Sequence, residues 1–336
     1  MKMLMVFQVL YLLFKIPSVL SFSSSSSSSC LGPPYLYATF HGGSSKSNVN
    51  QIIQYSRDGC ILNDAVLNID NTISLRGMTM TTSGKLIVNN AYKEDSAVLL
   101  FDSCNNITEG ETSTSSSTRE YLNTITGSLV DDDGANADYY LLHPYGAAYY
   151  NSRVYVTNQD SCTITSYLVS EDNDNSQASN EDLIASFYPC NVDDSTTSEL
   201  RGITFDNSGV FYVAYKQADL ILVYNATTKH QLGTRKCTSC IGITYDANTN
   251  SIFAGSSDDD KVHQYKAWPD LDKIQTFSNS DHLGHPSGVT VYNDVLYVGS
   301  QETSRIVSFN ITNNDYLGTI VKDFEDTIED LTLSFC

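Results

Sequence analysis

The sequence predicts an all-β fold: a six-bladed β-propeller with four antiparallel strands per blade, its ring closed by pairing the C-terminal strand with the N-terminal blade. Three observations point there. A short phrase built around a glycine recurs five times along the 336 residues. Tyrosine and β-branched residues dominate the periodic segments, which favours strands. The chain also begins with strands that lack an inner partner and ends with one strand that lacks an outer one.

The five copies start at Leu75-Arg76-Gly77-Met78-Thr79, His143-Pro144-Tyr145-Gly146-Ala147, Leu200-Arg201-Gly202-Ile203-Thr204, Cys240-Ile241-Gly242-Ile243-Thr244 and His285-Pro286-Ser287-Gly288-Val289. After each, a turn follows and a second β-rich strand runs back, as in Val295-Leu296-Tyr297-Val298. Repetition at this spacing marks one supersecondary unit stacked on copies of itself.

Each unit reads as four strands, a to d from the centre outwards. The fourth unit gives Gly202–Asp206, Val210–Tyr215, Leu220–Asn225 and His230–Thr234. The fifth gives Gly242–Asp246, Ser251–Gly255, Lys261–Lys266 and Ile274–Phe277, and the sixth Gly288–Tyr292, Val295–Ser300, Arg305–Asn310 and Tyr316–Val321. At the N-terminal end, Tyr35–His41, Gln51–Ser56 and Ile61–Ile69 supply b, c and d without an a. The orphan at residues 330–335 (Asp-Leu-Thr-Leu-Ser-Phe) is patterned like an a strand and completes blade one. Such a closure removes the exposed edge that an open array would present.

Residues 1–21 read as a secretory signal: Lys2 at the start, an apolar run from Val6 to Phe14, and Val19-Leu20-Ser21 at the cleavage position. Lys15 and Pro17 interrupt the run, and no segment offers the roughly 20 apolar residues a spanning helix needs. A Ser-rich leader at 22–32 precedes the propeller at 33–336. The inserts at 109–119 and 170–182 are polar and free of aromatics, as linkers are. The chain is therefore expected to be exported, soluble and extracellular, with no membrane span.

Eight cysteines and three acceptor sequons, at Asn106, Asn225 and Asn310, fit that compartment. The strand order assigns each loop to a face: b–c and d–a connections share one, here the top, and a–b and c–d turns share the bottom. On that basis Cys30 is expected to pair with Cys336, Cys60 with Cys104, Cys162 with Cys190 and Cys237 with Cys240. A Cys30–Cys336 bond would clasp the ring, worth about 5 kcal/mol in the chain-entropy model. All three sequons fall at or just after strand c, so glycans would coat the bottom and outer rim and leave the top bare.

The formal charge is −20, which works against nucleic acid and anionic lipid, since both need a basic patch. The runs Asp131-Asp132-Asp133 and Asp258-Asp259-Asp260 miss the EF-hand spacing; no cofactor is expected, and a surface Ca2+ site stays an open alternative.

The units resemble NHL-type repeats and the related six-bladed secreted propellers, with His285-Pro286-Ser287-Gly288-Val289-Thr290 followed by Val295-Leu296-Tyr297-Val298-Gly299 as the nearest copy. The resemblance covers roughly residues 33–336 and rests on structural motifs that many functions share. In gluconolactonase-like members the residue before each phrase glycine supplies Asn, Asp or Glu to a divalent metal. Here those positions hold Arg76, Tyr145, Arg201, Ile241 and Ser287, with Glu329 or Asp330 in the closing blade, and no such oxygen cage forms from them. Amidating lyases with similar propellers hold zinc on channel histidines; here His143 and His285 are equivalent and lie in opposite blades, and His282 is a third on a loop. Turn-capping roles account for them.

The expectation is a non-enzymatic module that binds a protein or glycan through its top face, nearest Arg76, Arg201 and Tyr145. The alternative is a metal-assisted hydrolase or lyase at the channel mouth. A sealed mouth with each arginine paired favours the first; three or more ionisable groups converging on one point favour the second.

Overall fold

The computed structural model describes residues 30–41, 51–69, 74–91, 96–103, 118–127, 141–169, 199–324 and 326–335. They form a six-bladed β-propeller. Among them there is no α-helix, and no helix long and apolar enough to cross a membrane.

Blade 1 orders its strands β24-β1-β2-β3, where β24 is Thr327–Ser334, β1 is Tyr35–His41, β2 is Ile53–Tyr55 and β3 is Ile61–Asn63. The closure is antiparallel over the whole of β1, from Tyr35 opposite Ser334 to His41 opposite Thr327. Blade 2 runs β5 (Leu75–Met80), β6 (Lys85–Asn90), β7 (Ala97–Ser103), β8 (Arg119–Gly127). Blade 3 shows β9 (Pro144–Tyr150), β10 (Arg153–Asn158) and β11 (Thr163–Leu168) among the described residues. Blade 4 comprises β12 (Leu200–Phe205), β13 (Val210–Tyr215), β14 (Leu220–Asn225) and β15 (Gln231–Lys236). Blade 5 comprises β16 (Cys240–Asp246), β17 (Ser251–Ser256), β18 (Lys261–Lys266) and β19 (Lys273–Phe277). Blade 6 comprises β20 (Pro286–Tyr292), β21 (Val295–Ser300), β22 (Arg305–Asn310) and β23 (Tyr316–Lys322).

The apolar core lies between blades. Tyr212 and Val223 of blade 4 pack with Ile252 and Tyr265 of blade 5, and equivalent clusters fill the other seams, including the closing one, where Leu36 and Phe40 meet Tyr297 and Ile306. A blade wedged between two others buries both faces. That is why β6 and β17 are buried along their whole length, and β21 over all but its first residue, with no alternation of inside and outside.

Two expectations need correction here. Ile61–Ile69 is not one strand. An Asx turn at Asn63, whose side chain accepts the Ala65 N–H at 3.0 Å, ends β3, and the chain crosses to the next blade. There β4 (Leu67–Asn68) lies parallel to β8 as a fifth, outermost strand of blade 2.

The disulfide pattern also differs. Cys30 bonds to Cys60, with Cα atoms 6.0 Å apart, which excludes both Cys30–Cys336 and Cys60–Cys104. The strand order assigned all four of these positions to one face, so face alone could not choose among them. What chooses is the leader's path. Arg57, in the turn between β2 and β3, donates to the Pro34, Gly32 and Pro33 carbonyls, and the Leu31 N–H donates to Asp58. The leader is thereby laid along the c–d turn, outward and away from β24. Cys237 and Cys240 are joined in the turn leading into β16, and Cys162 is disulfide-bonded. Cys104, Cys190, Cys336, Asn106, Asp131-Asp132-Asp133, the signal at 1–21, the leader up to 29, the insert at 170–182 and residues 109–117 of the other insert lie outside the described residues.

Candidate functional site at the channel mouth

The phrase glycine marks where the six inner strands come closest to the axis. A Cβ on Gly146 would stand 2.7 Å from the Arg201 carbonyl oxygen, and one on Gly202 would stand 2.7 Å from that of Ile241. Gly77, Gly242 and Gly288 abut the next blade's backbone in the same way. Only a residue without a side chain lets neighbouring strands pass so near, and this accounts for the repeat in the sequence. The sixth position is Asp330: a Cβ on Gly288 would run into the Asp330–Leu331 backbone. The residue ahead of it, Glu329, is therefore the counterpart of Arg76, Tyr145, Arg201, Ile241 and Ser287.

Those residues converge. Arg76 Nη1 lies 2.8 Å from Glu329 Oε2, with the two side chains 7% and 5% exposed. The Tyr145 hydroxyl donates to the same oxygen at 2.8 Å. Its ring lies against both guanidinium groups, Arg76 at 5.1 Å and Arg201 at 4.5 Å from the centroid. Arg201 pairs with Glu199 at 3.2 Å, and Lys216 with the same carboxylate at 3.4 Å. Burial pushes the Glu199 carboxyl up, but Arg201 and Lys216 together hold it below its usual range. Burial first, and Glu329 second, push the Tyr145 phenol far above its ordinary value, so it remains a donor throughout the physiological range. The result is a plug across the top of the channel. Each arginine has a carboxylate, while Arg76 Nε and Arg201 Nε have no hydrogen-bond partner.

Asp330 sits one step lower. Its Oδ2 accepts the Met78 N–H of blade 2 at 2.9 Å and its Oδ1 accepts the Leu331 N–H at 2.9 Å. Where five blades use glycine, the closing blade thus uses a carboxylate that reaches into the next strand.

His143 and His285 are not brought to the plug. Each takes a positive φ, 53° and 50°, in the turn entering strand a, a place filled in other blades by Ser74 and Ser239. The carbonyls of all four accept an N–H from the end of strand b: Gln159 to His143, Gln301 to His285, Ala91 to Ser74 and Ser257 to Ser239. His143 Nδ1 lies 3.4 Å from Asp160, and the His285 N–H donates to Asp260. His282 stacks on Tyr316 and contacts Arg305. Among the described residues no three His, Cys, Asp or Glu side chains are placed to share a metal ion. The acidic run of blade 5 is engaged locally, Asp258 by Ser239 and Ser257, Asp259 by His263 and Asp260 by the His285 backbone.

Three residues escaped the sequence reading: Glu199 and Lys216, which lie in stretches outside the repeated phrase and meet Arg201 only in the fold, and His41. His41, at the top end of β1, meets the Ser74 hydroxyl at 2.9 Å, and burial, then Arg76, hold its pKa down. Its signal was weak because it ends a b strand in the blade that lacks the phrase.

A closed ring of six antiparallel blades whose mouth residues are paired with one another defines the class: a six-bladed β-propeller. The fold is that of several solved structures. The crystal structure of a nidogen/laminin complex contains a chain that matches with TM-score 0.62 and 14% identity, over 90% of this chain and 98% of that one. A protein from Lactobacillus plantarum matches with TM-score 0.60 and 12% identity, over 86% and 82%. A putative 6-phosphogluconolactonase from Bacteroides fragilis matches with TM-score 0.55 and 14% identity, over 85% and 80%. No protein-family model matches the sequence, and no curated protein does.

Proposed function

We propose that this chain is a secreted, N-glycosylated binding module that recognises a protein or glycan through its top face. The observation that carries this reading is the plug. Arg76, Tyr145 and Glu329 are buried against one another, so the catalytic alternative loses the groups it would have used at the mouth. The partly exposed charges around them, Arg201, Lys216 and Glu199, form the rim a partner would meet. A propeller fold is compatible with such a role, as the nidogen/laminin complex illustrates for another chain of this shape. This refines the expected contact set: the rim and the loops above it recognise, and Arg76 and Tyr145 hold the ring.

Glycosylation on the opposite face fits the turns at Asn225 and Asn310. Each Oδ1 accepts two N–H groups of its own turn (Thr227 and Thr228; Thr312 and Asn313), which engages the oxygen and leaves the amide nitrogen as the group a glycan would join. The test is an array of immobilised extracellular proteins and glycans probed with wild type, Arg201→Glu and Lys266→Glu. Saturable binding lost in Arg201→Glu and kept in Lys266→Glu supports the reading. Stoichiometric zinc or calcium in the purified protein, with turnover of a lactone or peptide substrate, overturns it.

A further inference from the structure

The lower half of the channel carries a second inference, independent of the top-face reading and located at the other end of the ring. Below the plug the axis widens into a chamber of about 200 Å³ that opens on the bottom face. Its wall repeats the position two residues after each phrase glycine, or after Asp330 in the closing blade. Thr79, Thr204, Thr244, Thr290 and Thr332 present hydroxyls from five blades, with Ala148 in the remaining one. Thr79 and Thr204 already accept the Tyr149 and Tyr245 N–H groups, each at 3.2 Å, and keep a lone pair and a proton. Asp330 stands at the inner end, and it also borders a smaller cavity of about 30 Å³ beneath Tyr145 and Glu329.

This carboxyl has no cation beside it among the described residues. Arg76 is taken by Glu329, Arg201 and Lys216 by Glu199, and the group closest in charge terms is Glu329, of like sign. Two backbone N–H groups occupy one acceptor position on each oxygen, and a carboxylate offers roughly four. Burial is the main cause that pushes its pKa up to about 7. An uncompensated buried carboxyl either keeps a proton or takes up a cation.

The chemistry of the wall selects among cations. A divalent metal wants several carboxylates or carbonyls, and this wall offers one carboxyl and hydroxyls. The apolar side chains of Met78, Ile203, Ile243 and Val289 belong to the clusters between blades, so the surface a ligand meets in the chamber is almost wholly polar, which suits an ammonium head and not an apolar body. A protein of net charge −20 draws cations toward its openings and repels anions. We propose that the lower channel is a pocket for a primary ammonium group, its nitrogen on the Asp330 carboxylate and its remaining protons on threonine hydroxyls. Either a free amine or the lysine side chain of a partner would supply that group.

The experiment titrates the full chain calorimetrically with n-butylammonium chloride, with n-butanol, and with N-acetyl-lysine N-methylamide. Saturable one-to-one binding of butylammonium is expected, at least about tenfold tighter than butanol. It should strengthen from pH 5 to pH 8 as Asp330 sheds its proton. Asp330→Asn should lose about tenfold or more while still melting cooperatively, and Thr244→Val/Thr290→Val, which leaves every charge in place, should weaken binding by a smaller factor. Equal binding of the lysine derivative points to a partner's lysine; exclusion of it points to a free amine. The proposal is overturned by absence of saturation, by butanol binding as well as butylammonium, or by an Asp330→Asn protein that binds as wild type. Should Asp330→Asn fail to fold, unchanged binding by the double threonine variant overturns it instead.

Discussion

At the scale of single residues, the plug turns three sequence positions into one structural unit. Glu329 Oε2 receives both Arg76 and the Tyr145 hydroxyl, so removal of the carboxylate leaves a buried guanidinium without its counterion. Glu329→Leu is expected to cost about 3–5 kcal/mol, read as a loss of cooperative thermal stability. Tyr145→Phe deletes one hydrogen bond to a charged group and should cost about 1.5–3 kcal/mol. Arg76→Met/Glu329→Leu removes both charges and should be far less damaging than either alone, because a well-packed apolar pair avoids the desolvation penalty.

Asp330 behaves in the opposite sense. Its carboxyl is raised from 3.8 to about 7, so between those values the folded chain holds a proton that the unfolded chain has released. Stability from this group therefore falls as pH rises from about 4 to about 7 and is flat above, by up to about 4 kcal/mol before discounting for water in the channel. Denaturant unfolding across that range should show Asp330→Asn lacking the fall and exceeding wild type above pH 7.

At the scale of elements, the inner strand explains the phrase. Its glycines are fixed by the approach of the neighbouring backbone, so Gly202→Ala should cost about 1–3 kcal/mol or more through forced separation of blades 4 and 5. Gly32→Ala, where a Cβ meets nothing within 4 Å, should be neutral within about 0.5 kcal/mol, the two compared by denaturant midpoint. This is also where the sequence was most legible. Strands b and c of blades 4 to 6 fall where the β-rich runs place them, with Val210–Tyr215, Leu220–Asn225, Lys261–Lys266 and Arg305–Asn310 at the expected bounds. Outer strands were less so: Gln231–Lys236 and Lys273–Phe277 are half-exposed, and alternation is faint where one face meets water. The crossing of β4 to blade 2 was illegible, because a two-residue strand has no periodicity and its placement depends on a single Asx turn.

At the scale of the whole molecule, closure of the ring was readable as an orphan strand with the pattern of an a strand, and β24 does pair with β1 along its full length. The covalent arrangement was not, because loop faces narrow the set of cysteine neighbours without ranking them. Arg57 and Asp58 decide the matter for Cys30 through contacts that have no sequence signature. Non-reducing peptide mapping should return Cys30 linked to Cys60 and Cys237 linked to Cys240; Cys30 linked to Cys336 would contradict the path of the leader. The site was half legible for a related reason. Position before the glycine identified the mouth residues, but only their mutual burial distinguishes a plug from a ligand cradle.

That distinction is the centre of the account, and one comparison tests it most directly. The affinity of a partner recovered from the array is measured for wild type, for Arg76→Met/Glu329→Leu and for Lys216→Glu. The account predicts that the folded plug variant stays within about twofold of wild type while Lys216→Glu on the rim loses about tenfold. Loss of binding in the plug variant with Lys216→Glu unchanged would contradict it, and would return Arg76 and Glu329 to the contact surface.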